Sequence, residues 1–178
     1  MNLYIIPGYG ETMRNQGYRR IVREAKKKYD VTFLNLQLKN RLFSELVEEG
    51  INTINNAAGC AILGFSIGAL IAYFISMKIE LRKCIICSLT PAIGVDIVHN
   101  AKLYKKYLGC KQVNEYKQMT YGKSRAKELV FICGSEEGDN LVNRTKELCR
   151  INNGILYVIE NNDHMLNKAY VDAIVKVL

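Results

Sequence analysis

The sequence predicts an α/β protein of three layers, in which a mostly parallel sheet of six strands carries helices on both faces. Short β-branched or leucine-rich runs alternate with longer segments whose apolar residues recur every three or four positions, which is typical of βα units. Several of the short runs are apolar at consecutive positions, as in strands covered on both faces. With 178 residues, 49% of them apolar, we expect residues 1–178 to form a single domain.

The individual elements follow from these patterns. The predicted strands are residues 3–6, 31–36, 60–64, 83–89, 129–133 and 155–159. The predicted helices are residues 18–28, 44–54, 67–77, 141–151 and 166–177, and Ser44 is the expected side-chain cap of the second helix. Residues 92–127 are left as an insertion, since a crossover between parallel strands needs only about a dozen residues.

Composition narrows the possible classes of protein. Charged residues make up 24% of the chain and the formal net charge is +8, which favours anionic partners but does not by itself indicate nucleic-acid binding, and we expect none. The six cysteines fall largely in apolar runs and are expected as free thiols. No leader-like segment precedes the first predicted strand, so we expect a reducing, cytoplasmic location. The two histidines and scattered cysteines lack metal-ligand spacing, and we expect no metal.

Two segments allow other interpretations. Residues 51–77 carry no charge, but the apolar part, residues 61–77, is at the short limit for a membrane span, and we expect none. Gly8-x-Gly10 follows a predicted strand as in a dinucleotide-binding turn, but Met13 stands where that motif requires glycine or alanine. We therefore expect no bound cofactor.

The third predicted strand runs into Gly64-Phe65-Ser66-Ile67-Gly68 and then directly into a helix. A G-x-S-x-G between a strand and a helix is the sequence of a nucleophile elbow, in which a sharp turn exposes the serine hydroxyl. Side chains larger than glycine two residues before or after would collide with the neighbouring strand or helix. Ser66 is therefore the predicted nucleophile.

At these residues the sequence resembles the α/β-hydrolase superfamily, over nearly the whole chain. The resemblance implies a sheet order of 2-1-3-4-5-6 and a chain order of serine, acid and histidine, each after a strand. His164 follows the last predicted strand and is the expected base, whereas His99 lies in the insertion and suits a surface or lid role. An acid is expected after the fifth strand, where Asp139 is favoured over Glu137, because it stands three residues before the helix-opening valine.

The acid assignment stays open at this point. Glu137 has the other usual spacing, three residues after Gly134, and Glu136 is a weaker third candidate. Asp96, after the fourth strand, would fit a rarer arrangement.

An oxyanion formed during attack needs two backbone N–H donors. The N–H of Ile67 directly follows the nucleophile at a helix start. Pro7-Gly8-Tyr9-Gly10 resembles the superfamily's His-Gly-x-Gly oxyanion loop, which implies Tyr9 as the second donor, with proline in place of the usual histidine.

The resemblance thus implies a serine hydrolase that cleaves a carboxylic ester or thioester through an acyl-enzyme. The insertion at residues 92–127 resembles a lid, and its eight Lys or Arg against two acids suggest a small, acidic substrate or, equally, only a solvated basic surface. A catalytically silent binding protein of the same fold, or an acyltransferase using the same triad, remains an alternative. The sequence does not indicate an oligomeric state.

Overall fold

The structure is a computed structural model that describes residues 1–90, 92–97 and 101–178. His99, considered above as a lid residue, lies outside the described residues. The strands are β1 (Asn2–Ile6), β2 (Asp30–Phe33), β3 (Ala61–Phe65), β4 (Lys83–Cys87), β5 (Glu128–Gly134) and β6 (Ile155–Ile159). The α-helices are α1 (Gln16–Ala25), α2 (Phe43–Thr53), α3 (Ile67–Lys78), α4 (Ala101–Leu108), α5 (Cys110–Tyr116), α6 (Asp139–Asn152) and α7 (Lys168–Val177).

The strands form one sheet in the order β2-β1-β3-β4-β5-β6, and every described pair is parallel. This confirms the predicted fold class and strand order. In register, Ile6 of β1 lies beside Gly64 of β3, and Phe65 of β3 lies beside Cys87 of β4. Each predicted strand and helix has its counterpart, although β2 and β4 end earlier than expected, at Phe33 and Cys87.

Two hydrophobic clusters cover the two faces of the sheet. On one face, α2, α3 and α6 pack together with the helices of the insertion. On the other face, α1 and α7 supply the apolar side chains. Burial of both faces explains why the strands read as continuous apolar runs rather than as alternating ones.

Helix α3 accounts for the uncharged stretch of the sequence. Its residues from Ile67 to Ser76 are all buried, so the helix is surrounded by protein and needs no polar face. Within the described part of the chain, no helix has the length and apolar character needed to cross a membrane.

The insertion forms α4 and α5, which meet at Gly109 with φ +91°. Its Glu115 carboxylate accepts hydrogen bonds from the backbone N–H groups of Phe43 and Ser44, the latter at 3.0 Å. Ser44 was expected to cap this helix, but α2 begins one residue earlier and Glu115 satisfies its first N–H groups instead. The insertion is therefore tied to the body of the fold.

Because all strands are parallel, their carboxyl ends lie at one edge of the sheet. The segments after β1, β3, β4, β5 and β6 leave the sheet at this edge. They carry the residues described next.

Candidate active site

Ser66 occupies the turn between β3 and α3. Its backbone has φ 57° and ψ −123°, a conformation that costs free energy for a non-glycine residue and persists only where the surroundings enforce it. A Cβ atom on Gly64 would lie 2.3 Å from the Gly68 carbonyl oxygen, and one on Gly68 would lie 2.3 Å from the Ile6 carbonyl oxygen. Both glycines are thus required by close backbone contacts, as the elbow motif predicts.

The structure brings His164 to Ser66 although 98 residues separate them in the chain. The His164 Nε2 atom lies 2.8 Å from Ser66 Oγ. Ser66 Oγ also lies 3.2 Å from the Thr90 hydroxyl. A neutral imidazole at this distance can accept the serine proton.

The carboxylate beside His164 is that of Glu137, whose Oε2 lies 3.2 Å from His164 Nδ1. The Glu137 side chain has no exposed surface. Its Oε1 accepts hydrogen bonds from the Gly134 N–H at 2.6 Å and from the Tyr170 hydroxyl. The carboxylate is thereby held in one orientation towards the imidazole.

Asp139, favoured from the sequence, lies elsewhere. Glu137 turns back onto Gly134, and Gly138 with φ +89° then redirects the chain, so that Asp139 becomes the first residue of α6. Asp139 is exposed at the wall of the cleft described below. The two extra residues in this turn therefore bring the glutamate, and not the aspartate, to the histidine.

The remaining acid candidates also lie apart from His164. Glu136 is exposed. Asp96 forms a two-point ion pair with Arg144, at 2.8 and 2.9 Å.

The turn after β1 is fixed by a carboxylate. The Gly8 N–H donates to Glu11 Oε2 at 2.8 Å and lies 3.2 Å from the Tyr18 hydroxyl, which itself donates to Glu11 at 2.7 Å. Burial, together with the Glu11 carboxylate, raises the pKa of Tyr18 far above its usual range, so this hydroxyl keeps its proton. Glu11 and Tyr18 thus anchor the loop that carries Pro7, a role that no pattern in the sequence indicated for either residue.

Tyr9 and Ile67 line the same cleft as Ser66 and His164. Ile67 is the first residue of α3, so its N–H has no acceptor within that helix. The two predicted oxyanion donors are therefore brought to the neighbourhood of the nucleophile.

The cleft above Ser66 has a volume of about 780 Å³. Beyond the residues already placed there, its wall is mainly aromatic and aliphatic, with side chains contributed by α4 and α6: Leu103, Tyr104, Tyr107, Leu108 and Leu141. No lysine or arginine of the described residues lines it. The lysines of α4, at positions 102, 105 and 106, are exposed instead.

Across residues 1–90, 92–97 and 101–178, no group of three or more His, Cys, Asp or Glu side chains could hold a metal ion. All six cysteines are free, and all but Cys110 are buried.

Comparison with known proteins finds similarity in structure only. No protein-family model matches the sequence, and a search of curated proteins finds no match. Est1E from Butyrivibrio proteoclasticus superposes with a TM-score of 0.69 at 10% identity, over 98% of this chain and 84% of that one. A Xanthomonas campestris protein described as a hydrolase of the α/β superfamily superposes with a TM-score of 0.69 at 10% identity, over 98% of this chain and 92% of that one. The Vlm2 thioesterase domain superposes with a TM-score of 0.63 at 14% identity, over 99% of this chain and 92% of that one.

Proposed function

Because the chain has the α/β-hydrolase fold, we propose that the protein is a serine hydrolase that cleaves a carboxylic ester or thioester. The observation that carries this proposal is the 2.8 Å contact between Ser66 Oγ and His164 Nε2, with the buried Glu137 carboxylate behind the imidazole. Three segments that follow three different strands supply these groups. A serine hydroxyl is activated by an imidazole within hydrogen-bonding distance and a carboxylate that orients the imidazole.

In the proposed reaction, Ser66 Oγ attacks the substrate carbonyl carbon while its proton passes to His164 Nε2. The oxyanion that forms is held by the N–H groups of Tyr9 and Ile67, and the start of α3 adds a favourable dipole. The intermediate then collapses to an acyl-enzyme, and His164 returns the proton to the departing alcohol or thiol. Water, deprotonated by His164, releases the acid by the same steps in reverse.

Glu137 takes the role of the triad acid in this proposal. Its charge stabilises the imidazolium that forms at His164, and its fixed orientation holds the ring. Asp139 is not assigned a part in proton transfer, because it lies on the cleft wall at the start of α6 and Glu137 is the carboxylate beside His164.

The cleft supports an apolar acyl group as the part of the substrate next to Ser66. Leu103, Tyr107 and Leu141 offer apolar surface there, and no described cationic side chain lines the wall. The esterase or thioesterase class is also supported by the Vlm2 thioesterase domain among the structural neighbours. An anionic substrate, suggested by the charge of the insertion, stays a prediction that concerns only the exposed outer side of α4.

Covalent labelling with a fluorophosphonate tests the proposal, because this probe reacts with an activated serine. The wild-type protein should be labelled at Ser66, and Ser66→Ala and His164→Ala should not. A catalytically silent binding protein would leave the wild type unlabelled. Labelling that persists in Ser66→Ala would show that the nucleophile is another residue.

A further inference from the structure

We propose that Ser88, which directly follows β4, is a positioning residue that couples Glu137 to His164; this inference rests on the proposed function. Ser88 Oγ lies 2.5 Å from Glu137 Oε2 and 2.5 Å from His164 Nδ1. The direct distance from His164 Nδ1 to Glu137 Oε2 is 3.2 Å. Charge-assisted N–H···O⁻ bonds are usually about 2.7–2.9 Å long, so the serine hydroxyl provides the closer connection.

The hydrogen-bonding capacities of the three groups allow one arrangement of protons. An ionised Glu137 can only accept, so the single Ser88 O–H donates to Oε2. The Ser88 oxygen then accepts from His164, which places the proton of the neutral imidazole on Nδ1. The lone pair on Nε2 is thereby directed at Ser66, as a general base requires.

Every proton is accounted for when this arrangement takes part in the reaction. The only proton that changes partner in the attack moves from Ser66 Oγ to His164 Nε2. The Nδ1 proton stays on the ring, Ser88 keeps its hydroxyl proton, and Glu137 stays ionised. The two hydrogen bonds through Ser88 become stronger as the ring gains positive charge.

The backbone at Ser88 is held in place for this contact. Ser88 is fully buried and has φ 52°, and its N–H donates to the Ile132 carbonyl oxygen at 2.8 Å. Ser66, with φ 57°, donates in the same way to the Cys87 carbonyl oxygen at 3.0 Å. Adjacent strands β3 and β4 therefore both end in a serine forced into the left-handed region, with both hydroxyls directed at His164.

The competing explanation is that Ser88 merely satisfies a buried carboxylate. Glu137 Oε1 already accepts from the Gly134 N–H and the Tyr170 hydroxyl, whereas Oε2 is contacted by Ser88 and His164. In a structural role, loss of the hydroxyl would lower stability and leave the chemistry intact. In a positioning role, it would lower kcat through Glu137.

The test compares Ser88→Ala and Ser88→Gly with wild type in the hydrolysis of p-nitrophenyl acetate. Glycine tolerates the positive φ, so the second variant keeps the fold if alanine does not. We expect both variants to lose about 10- to 100-fold in kcat with KM unchanged, since a hydrogen bond to a charged group is lost. Ser76→Ala is the matched control: Ser76 is equally buried, but its hydroxyl donates to the Tyr73 carbonyl oxygen within α3, and kcat should not change.

A double-mutant cycle with Glu137→Gln separates the two roles. If Ser88 acts through Glu137, the variant that combines Ser88→Ala with Glu137→Gln should be no slower than Glu137→Gln alone. Fully additive losses, or a Ser88→Ala kcat within about two-fold of wild type, would overturn the inference. A wild type that neither hydrolyses esters nor reacts with a fluorophosphonate refutes the proposed function itself, and with it the role of Ser88.

Discussion

The Tyr18 hydroxyl donates a 2.7 Å hydrogen bond to the Glu11 carboxylate, and the same carboxylate holds the Gly8 N–H at 2.8 Å. A side chain at Gly8 would displace the Glu11 carboxylate, because a Cβ atom there would lie 2.4 Å from Glu11 Oε2. The loop after β1, which we propose supplies an oxyanion donor, is therefore anchored by an interaction between residues on either side of the start of α1.

We expect Glu11→Ala to lower kcat by about 10- to 100-fold, because the loop that presents the Tyr9 N–H loses its anchor. Tyr18→Phe, which keeps the hydrogen bond from the Gly8 N–H to Glu11, should lose less. Steady-state kinetics with a p-nitrophenyl ester provide the measurement. Glu24→Ala is the control, since its carboxylate pairs with Arg23 and Lys27 at the protein surface. Equal kinetics for Glu11→Ala and Glu24→Ala would contradict the anchoring role.

The acid assignment predicts unequal effects of two neighbouring substitutions. Glu137→Gln should slow turnover by about 10⁴, the loss that follows when a triad acid is replaced by its amide. Asp139→Asn, at the exposed start of α6, should lose no more than about ten-fold. Both are compared by kcat/KM, after circular dichroism has verified folding. A larger loss in Asp139→Asn would return the assignment to the aspartate.

The side chains of α4 that line the cleft predict how the substrate is bound. The Tyr9 and Tyr107 rings meet edge to face with centroids 5.6 Å apart, so both contribute apolar surface at the cleft. Tyr107→Ala should raise KM for a p-nitrophenyl ester with a long acyl chain by about ten-fold and change the acetate little. Lys106→Ala, one residue away but outside the cleft wall, should not change KM. For an ester with an anionic acyl group, KM should be insensitive to salt if only the cleft wall binds the substrate; a KM that rises with salt would indicate that the lysines of α4 contact it.

Substitutions at two glycines, Gly68 in the elbow and Gly10 in the loop after β1, should differ in their effect on stability. Gly68→Ala should cost about 3 kcal/mol or more in the free energy of unfolding, because the new Cβ meets the backbone oxygens of Ile6 and Pro7 at 2.3 and 2.4 Å. Gly10→Ala, at φ +73° with open space around the new Cβ, should cost about 1–2 kcal/mol from backbone strain alone. Urea unfolding measures both. Similar values for the two variants would show that the close contact at Gly68 can relax.

The cysteines predict a pattern of alkylation. Burial raises the pKa of Cys84 to about 12 and those of Cys60 and Cys133 to about 11, so these thiols stay protonated and unreactive at neutral pH. Native protein treated with iodoacetamide at pH 8 should gain one adduct, at the exposed Cys110, and denatured protein six. Mass spectrometry counts the adducts. Several adducts on native protein at pH 8 would contradict the burial.

Because unfolded thiols ionise near pH 8.5 and the buried ones do not, the free energy of unfolding should also fall as pH rises above that value.

The fold and the elbow were predictable because their signals are local. Apolar runs indicate the strands, and Gly64, Ser66 and Gly68 lie within five residues of one another. His164 was predictable from its place after the last strand. These features require only the order of elements along the chain.

The features that the sequence left open or did not indicate depend on how one turn closes and on how distant segments pack. Glu137 and Asp139 differ in how a single turn closes on Gly134, which spacing alone did not decide. Ser88 reaches His164 across 76 residues, and the sequence prediction placed it inside the fourth strand, which ends at Cys87 in the structure. The anchoring of Gly8 by Glu11 and Tyr18 depends on how α1 packs on the sheet.

The contact of Glu115 with the first turn of α2 also bears on the size of the acyl chain that the proposed site can accept. Moving α5 outwards would leave the N–H groups of Phe43 and Ser44 without their acceptor and would separate the Tyr116 and Phe43 rings, whose centroids are 5.0 Å apart. Helix α4 carries Leu103 and Tyr107 on the cleft side, and Leu108 at its end is buried in the core. We therefore expect the side chains of α4, rather than a displacement of α5, to set the size of the acyl chain that the cleft accepts.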